Sequence, residues 1–242
     1  MSILAIDTAS SVSSVAVARE GCLEAEVTVE AGHTHSETLL SHIEGALSFA
    51  GVAKEALEGI AVSIGPGSFT GLRIGLATAK AMAYGLGIPL VGVPTLQTLA
   101  LSFPVPGAYT LALMDAQKGN AYAALYEWKE GALEEVEAVH VAPLKEAVAK
   151  AASRGRPVLL AGELAAKKHA RLGDLPPHVL LAPAHLLTAR ASHVAWLGLA
   201  RLAAGEADEL MTLEPFYIRR SEAEVLWEKR HGMEEGKTGA PC

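Results

Sequence analysis

The chain has 242 residues, half of them hydrophobic, and a formal net charge of -7. This length accommodates one large domain or two small ones with ample core, while the acidic balance opposes unaided binding to nucleic acid, which needs a basic footprint to neutralise phosphates. Cys22 and Cys242 form neither a disulfide framework nor a metal-ligand spacing, no apolar run reaches the length of a membrane helix, and the N-terminus enters a strand without a basic segment, so a reduced, cytoplasmic setting with no membrane contact is expected.

Taken in chain order, apolar runs over 3–6, 12–18 and 23–29, joined by short polar turns, predict an antiparallel meander. The polar stretch Gly32-His33-Thr34-His35-Ser36-Glu37 leads into a helix reaching about Phe49, with Glu37 near the positive end of the helix dipole. Residues 60–64 are small and apolar, as in a strand buried on both faces. Gly65, Pro66, Gly67 and Ser68 then form a loop whose glycines permit positive φ, and Ser68 or Thr70 caps a helix over 71–85. That helix carries a core stripe at Leu72, Leu76, Ala79, Ala83 and Leu86, while Gly71, Gly75, Ala77, Ala81 and Gly85 keep its other faces small. A glycine inside a helix costs about 1 kcal/mol against alanine, so close packing is the reason to keep three of them. A strand over 90–93 and a short helix from Pro94 to Ser102 complete a βββαβαβα series.

Pro104-Val105-Pro106-Gly107 interrupts this pattern as a linker. Beyond it the first set recurs. Leu4-Ala5-Ile6-Asp7 is echoed by Leu113-Met114-Asp115, and Arg19-Glu20-Gly21-Cys22-Leu23-Glu24 by Lys129-Glu130-Gly131-Ala132-Leu133-Glu134, at similar intervals, which indicates an internal duplication. A helix over 144–152, a strand over 158–161, a short helix to His169, a strand over 179–182 and a helix over 192–204 make a trimmed second copy. The expected fold is therefore α/β, two tandem βββαβα subdomains in the manner of the actin-like, Hsp70 and sugar-kinase (ribonuclease H-like) proteins. The expected division is 1–103, then 104–224 with its last helix packing back on the first part, then a disordered tail over 225–242.

The run Gly65-Pro66-Gly67-Ser68-Phe69-Thr70-Gly71-Leu72-Arg73-Ile74-Gly75, with the opening Ile3-Leu4-Ala5-Ile6-Asp7-Thr8-Ala9, resembles the TsaB (YeaZ) family. Further matches at 91–96, 113–116 and 214–219 extend the resemblance to about Glu224. It implies a non-catalytic scaffold required for threonylcarbamoyl transfer to the tRNA adenosine beside the anticodon. It also implies pairing with a metal-binding catalytic paralogue of the TsaD type, docking of a TsaE-type ATPase, a homodimer when the chain is alone, and only indirect contact with tRNA. In the catalytic paralogue the strand-to-helix junction reads His-Leu-Glu-Gly-His and both histidines hold a metal. Here Thr95-Leu96-Gln97-Thr98-Leu99 stands in that place. Thr is a poor ligand and Leu none, so no metal and no transfer activity are expected, with weak ATPase activity left open.

The resemblance also assigns the pairing surface to the helices over 36–49 and 71–85. The residues expected there are His35, Leu39, His42, Ala46, Phe49, Gly71, Arg73, Gly75, Thr78 and Met82; a fully buried helix accounts for the same apolar pattern. Lys80 and Tyr84 join Arg73 on one side of the second helix as a rim. His33, His35 and His42 are metal-ligating residue types, but no carboxylate or cysteine completes a ligand set. ATP or ADP is the one cofactor class in view. Asp7, Thr8 and Ser10 resemble the first phosphate hairpin of the superfamily and Asp115 the second, with Gly162 at the adenosine loop. Turn capping by Asx hydrogen bonds explains the two carboxylates equally well. A glycoprotease-like reading fails because Ser63 sits inside a strand instead of on a nucleophile elbow, and Ser68 has no His or acid at a recognisable spacing.

Overall fold

Two five-stranded mixed sheets of the same design make up the chain. The computed structural model describes residues 1–30, 35–168 and 172–218; residues 31–34, His169, Arg219, the expected tail over 225–242 and the side chain of His35 lie outside the described residues. The first sheet holds β1 (Ser2–Asp7), β2 (Val12–Arg19), β3 (Cys22–Glu30), β4 (Gly59–Gly65) and β5 (Leu90–Pro94), in the order β3-β2-β1-β4-β5. The second holds β6 (Tyr109–Asp115), β7 (Asn120–Lys129), β8 (Ala132–Pro143), β9 (Val158–Ala161) and β10 (Val179–Leu181), in the order β10-β9-β6-β7-β8. In each, the first three strands pair antiparallel and the next two join in parallel. Even the turns repeat: Glu20-Gly21 has φ of 51° and 82°, Glu130-Gly131 of 52° and 83°. The duplication expected from sequence is present, and the fold is the actin-like, sugar-kinase one.

β1, β4 and β5 read as nearly unbroken apolar runs because both faces are covered, whereas the edge strand β3 is exposed or half-buried along its length. On one face Leu4, Ile6, Val15 and Val17 meet Leu39, Ile43 and Ala46 of α1 (His35–Ala50) and Leu76, Ala79 and Ala83 of α2 (Phe69–Leu86). The other face is lined by smaller residues, Ile3, Ala5, Ala16 and Ala61, and these receive the last helix, α6 (Ala191–Ala203), through Ala191, Val194 and Ala195. The fit is close. A Cβ on Gly198 would lie 2.4 Å from that of Ala61.

The halves exchange helices. Besides α6, which belongs by sequence to the second half, α3 (Thr95–Leu101) of the first half puts Leu96, Leu99 and Ala100 against Ala112, Ala124 and Tyr126 of the second sheet. That sheet carries α4 (Leu144–Ala152) and α5 (Glu163–Lys167) on its opposite face, where Leu144, Ala147, Val148 and Leu164 cover Leu111, Leu113 and Leu125. The segment 104–107 between the halves is pinned too: Arg156 donates through Nε to the Gly107 carbonyl at 3.2 Å and pairs with Glu127 at 2.6 Å.

The first turn of α6 leaves backbone N–H groups without helical partners, and side chains of the first sheet supply them. Ala191 N donates to Ser14 Oγ and Ser192 N to Glu26 Oε1, both at 2.9 Å, while Arg190 pairs with the same carboxylate. Burial works to raise the Glu26 carboxyl, but hydrogen bonds from Ser192 and Arg190 outweigh it and hold the group below its usual 4.5. His193, one residue on, donates from Nδ1 to the Thr98 carbonyl at 3.1 Å, tying α6 to α3. Burial, reinforced by Arg190, pushes its imidazole below the ordinary 6.5 against the opposing effects of Thr98 and Glu26.

Both shifts have the same sign. A group depressed on folding contributes stability that is complete above its unfolded value and is lost as pH falls through the folded one. The free energy of unfolding in urea is therefore expected to decline from pH 7.5 to 5.5 through His193, and again below 4.5 through Glu26. His193→Asn should flatten the first decline. An unchanged slope in that variant would remove His193 as its cause.

Candidate functional site

The loop 65–68 and the start of α2 lie directly on the β1–β2 hairpin, and three glycines spaced four apart set the distance. A Cβ on Gly67 would lie 2.4 Å from the Ala9 carbonyl oxygen, one on Gly71 2.1 Å from that of Thr8, and one on Gly75 2.2 Å from Thr8 Oγ1. Cβ atoms do not approach so closely, so each position requires glycine. Hydrogen bonds use the proximity: Ser68 N donates to the Ala9 carbonyl at 2.7 Å, and Thr8 Oγ1 to the Gly71 carbonyl at 2.8 Å. Ser68 then caps α2 by accepting from Gly71 N at 3.2 Å.

This arrangement determines what the first hairpin can do. Asp7 and Thr8 are 0% exposed. Asp7 accepts from Ala9 N through Oδ1, as an Asx turn does, and from the Ser63 hydroxyl through Oδ2. Ser10 likewise caps Val12 N at 3.1 Å. Asp7 and Thr8 are thus sealed from solvent and engaged within the chain, while Ser10 is half-exposed. The second hairpin is different. Asp115 accepts from Gln117 N at 2.8 Å, but its side chain is exposed and faces Lys168 at 3.4 Å. Gly162, just past the end of β9, lets the chain pass close beside β6, since a Cβ there would lie 2.1 Å from the Leu113 carbonyl oxygen.

At the β5–α3 junction Thr95 is 0% and Leu99 2% exposed, the latter inside the cluster between α3 and the second sheet. Among the described residues, no group of three or more His, Cys, Asp or Glu side chains gathers as metal ligands would. His42 is half-buried with Nδ1 2.9 Å from Ser13 Oγ.

The interface expectation is corrected at four positions. Leu39 and Ala46 belong to the core under α1, and Gly71 and Gly75 face the hairpin of their own chain. Thr78 and Met82 are half-buried, and Met82 packs on the same core. What the helices expose instead is Leu40 and Phe49 on α1 and Tyr84 on α2, at 60, 77 and 76%, together with Ala77, Ala81 and Gly85 of α2. The Ala77, Ala81, Gly85 spacing was legible as a second small stripe; choosing which stripe faces outward required knowing where the hairpin lies.

Sequence reasoning left the segment 214–218 without a role. It straps the end of the first sheet onto α2: Phe216 N donates to the Ile64 carbonyl at 2.7 Å, and Arg73 Nε to the Tyr217 hydroxyl at 2.9 Å. The Arg73 guanidinium also stacks 3.8 Å from the centre of the Phe69 ring. Earlier in the strap, Lys80 Nζ donates to the Met211 carbonyl at 3.2 Å, and Asp208 takes Gly92 N at 2.7 Å.

The glycine contacts yield a contrast that urea denaturation can read. Gly75→Ala, which must displace Thr8, is expected to lower stability by about 1–3 kcal/mol, whereas Gly85→Ala, with nothing within 4 Å of the new Cβ, should be neutral or raise it by up to about 1 kcal/mol. Equal effects at the two sites would contradict the close seating of α2.

Comparison with known proteins now bears on this geometry. A family model described as TsaD, tRNA N6-adenosine threonylcarbamoyltransferase, matches residues 27–227. The tRNA threonylcarbamoyladenosine biosynthesis protein TsaB of Bacillus subtilis is 32% identical over 228 residues, 94% of this chain and 98% of that protein. The TsaB of Escherichia coli is 37% identical over 144 residues, 57% of this chain and 62% of that one. Among solved structures, YeaZ from Pseudomonas aeruginosa superposes with a TM-score of 0.77 at 26% identity, covering 90% of this chain and 99% of that one. The chain accordingly belongs to the TsaB branch of the threonylcarbamoyltransferase family.

Proposed function

We propose that the chain is a non-catalytic scaffold subunit in the synthesis of threonylcarbamoyladenosine on tRNA. It pairs with a metal-bearing catalytic paralogue of the TsaD type through the outward faces of α1 and α2. The observation that carries this reading is the β5–α3 junction, where Thr95 and Leu99 are sealed in the core at 0% and 2% exposure. Side chains so placed, one of them without any donor atom, offer a metal nothing. The exposed Leu40 and Phe49 on α1, with Tyr84 and the small residues Ala77, Ala81 and Gly85 on α2, support the pairing half of the reading, because exposed large apolar and small residues on neighbouring helices suit a surface that a second helical layer covers.

In the absence of the paralogue the same surface serves a homodimer, and a TsaE-type ATPase docks where the two subunits meet. The net charge of -7 supports contact with tRNA through the partner instead of through this chain. No helix among the described residues is long and apolar enough to cross a membrane; the reading places the protein with its tRNA substrate in the cytoplasm. The alternative, an ATPase built on Asp7 and Asp115, is opposed by the burial of Asp7 and its engagement with Ala9 and Ser63.

The test is a tRNA modification assay with the purified catalytic paralogue. Wild-type chain should restore modification, while Ala81→Arg, on the exposed strip and shown to be folded by circular dichroism, should neither pair nor restore it. A chain that forms no complex and adds nothing would sink the scaffold reading. Micromolar Mg-ATP binding lost in Asp115→Ala would then favour the ATPase.

A further inference from the structure

The strap leaves a row of large side chains along one flank of α2. Met211, Phe216 and Tyr217 are 75, 46 and 40% exposed. The Tyr217 hydroxyl meets Arg73 and its ring lies 5.1 Å from that of Phe69, while the Met211 carbonyl meets Lys80 Nζ. Arg73, Ala77, Lys80, Ala81 and the exposed Tyr84 follow one another at helical spacing on a single face of α2. Arg73 and Lys80 are the charged residues of this helix, and among the described residues neither has a carboxylate within ion-pair distance. Tyr217 engages Arg73 through Nε, which leaves the terminal nitrogens of the fork to face a carboxylate.

The chain continues from this row. Beyond Ile218, outside the described residues, it reads Arg219-Arg220-Ser221-Glu222-Ala223-Glu224-Val225-Leu226-Trp227-Glu228. Large apolar residues flanked by carboxylates are the complement of an apolar row with two unmatched cations. Reach is sufficient, since Ile218 to Val225 spans up to about 23 Å when extended, against about 16 Å from Arg73 to Tyr84 along the helix. A tethered segment also acts at an effective concentration of the order of millimolar, which favours it over a free occupant of equal affinity.

We propose that Val225, Leu226 and Trp227 fold back onto the strap side of α2, against Met211, Tyr217 and Tyr84, with Glu222, Glu224 and Glu228 turned to Arg73 and Lys80. The segment is then an intramolecular cover over part of the face assigned to pairing, and the catalytic partner must displace it. The inference rests on the pairing reading above and adds to it a built-in competitor. A cover in place for about nine-tenths of the time lowers the apparent affinity for the partner about tenfold.

Fluorescence of the full chain tests this. The signal of Trp227 is the difference between wild type and Trp227→Phe, since Trp128 and Trp196 also emit. Acrylamide should quench it far less in the folded chain than in urea, equally at every protein concentration, and Lys80→Glu should abolish the shielding. Against the purified catalytic paralogue, Trp227→Asp should bind about tenfold more tightly than wild type. Trp227 as accessible in the folded chain as in urea overturns the inference and leaves the pairing reading standing. Shielding that survives Lys80→Glu puts the segment elsewhere, and shielding that grows with concentration makes a second copy the cover; either overturns it. Binding that Trp227→Asp leaves unchanged or weakens overturns the competition. If neither chain binds the paralogue while Trp227 is shielded and Lys80→Glu exposes it, the fold-back stands and its role as competitor falls with the pairing reading.

Discussion

The seating of α2 on the β1–β2 hairpin is the contact that the rest of the structure depends on. Gly67, Gly71 and Gly75 bring a helix backbone to within van der Waals reach of Ala9 and Thr8, closer than any side chain allows. Three consequences follow from that closeness. Thr8 and Asp7 leave solvent and spend their hydrogen bonds on Gly71, Ala9 and Ser63. The loop 65–68 is fixed between the hairpin and the strap, with Gly65 only 3.2 Å, measured from a notional Cβ, from the Phe216 carbonyl oxygen. And the side of α2 opposite the glycines is directed away from the protein, which leaves Ala77, Ala81 and Tyr84 exposed.

The second organising contact is the exchange of helices between the halves. A sheet buried on one face needs only its own helices, but the first sheet is apolar on both, and its own half provides α1 and α2 for just one of them. α6 fills the other, and in return α3 covers the second sheet beside Ala112 and Tyr126. The polar anchors sit at the ends of this exchange: Glu26 and Ser14 at the start of α6, Arg201 and Asp208 at its end. A division at residue 103 therefore separates the strands cleanly but cuts through both packing layers. Thr95 and Leu99 fall on α3, the exchanged helix, where both are buried in the joint between the halves.

Much of this was legible in the sequence. Periodicity and turn residues located the strands and helices, because runs such as 3–6 and 60–64 are apolar without alternation only when both faces are covered. The duplication was visible in Glu20-Gly21 and Glu130-Gly131, since tight hairpins demand the same residue types wherever they recur. The outward face was not legible. α2 has small residues on two sides, and composition alone does not distinguish glycines that admit a hairpin from alanines that admit a partner; that required the distance from Gly75 to Thr8. The strap was missed for a related reason. Its ties run from Phe216 to Ile64 and from Tyr217 to Arg73, contacts between residues about 150 apart with no periodicity to announce them.

The two stripes of α2 divide its work along the helix axis. The glycine side spends helix propensity, about 1 kcal/mol for each residue, to let the β1–β2 hairpin close against the helix. The alanine side keeps that propensity and offers a smooth surface, with its cations held at the margin by the strap. A hairpin packed in this way holds α2, which rests on it, in one position relative to the sheet. Rigidity of that kind would suit the pairing proposed above, because a partner docking on α2 would meet a face already formed and pay little to order it. The same three glycines that seat the hairpin thus also fix the direction in which the alanine side of α2 faces.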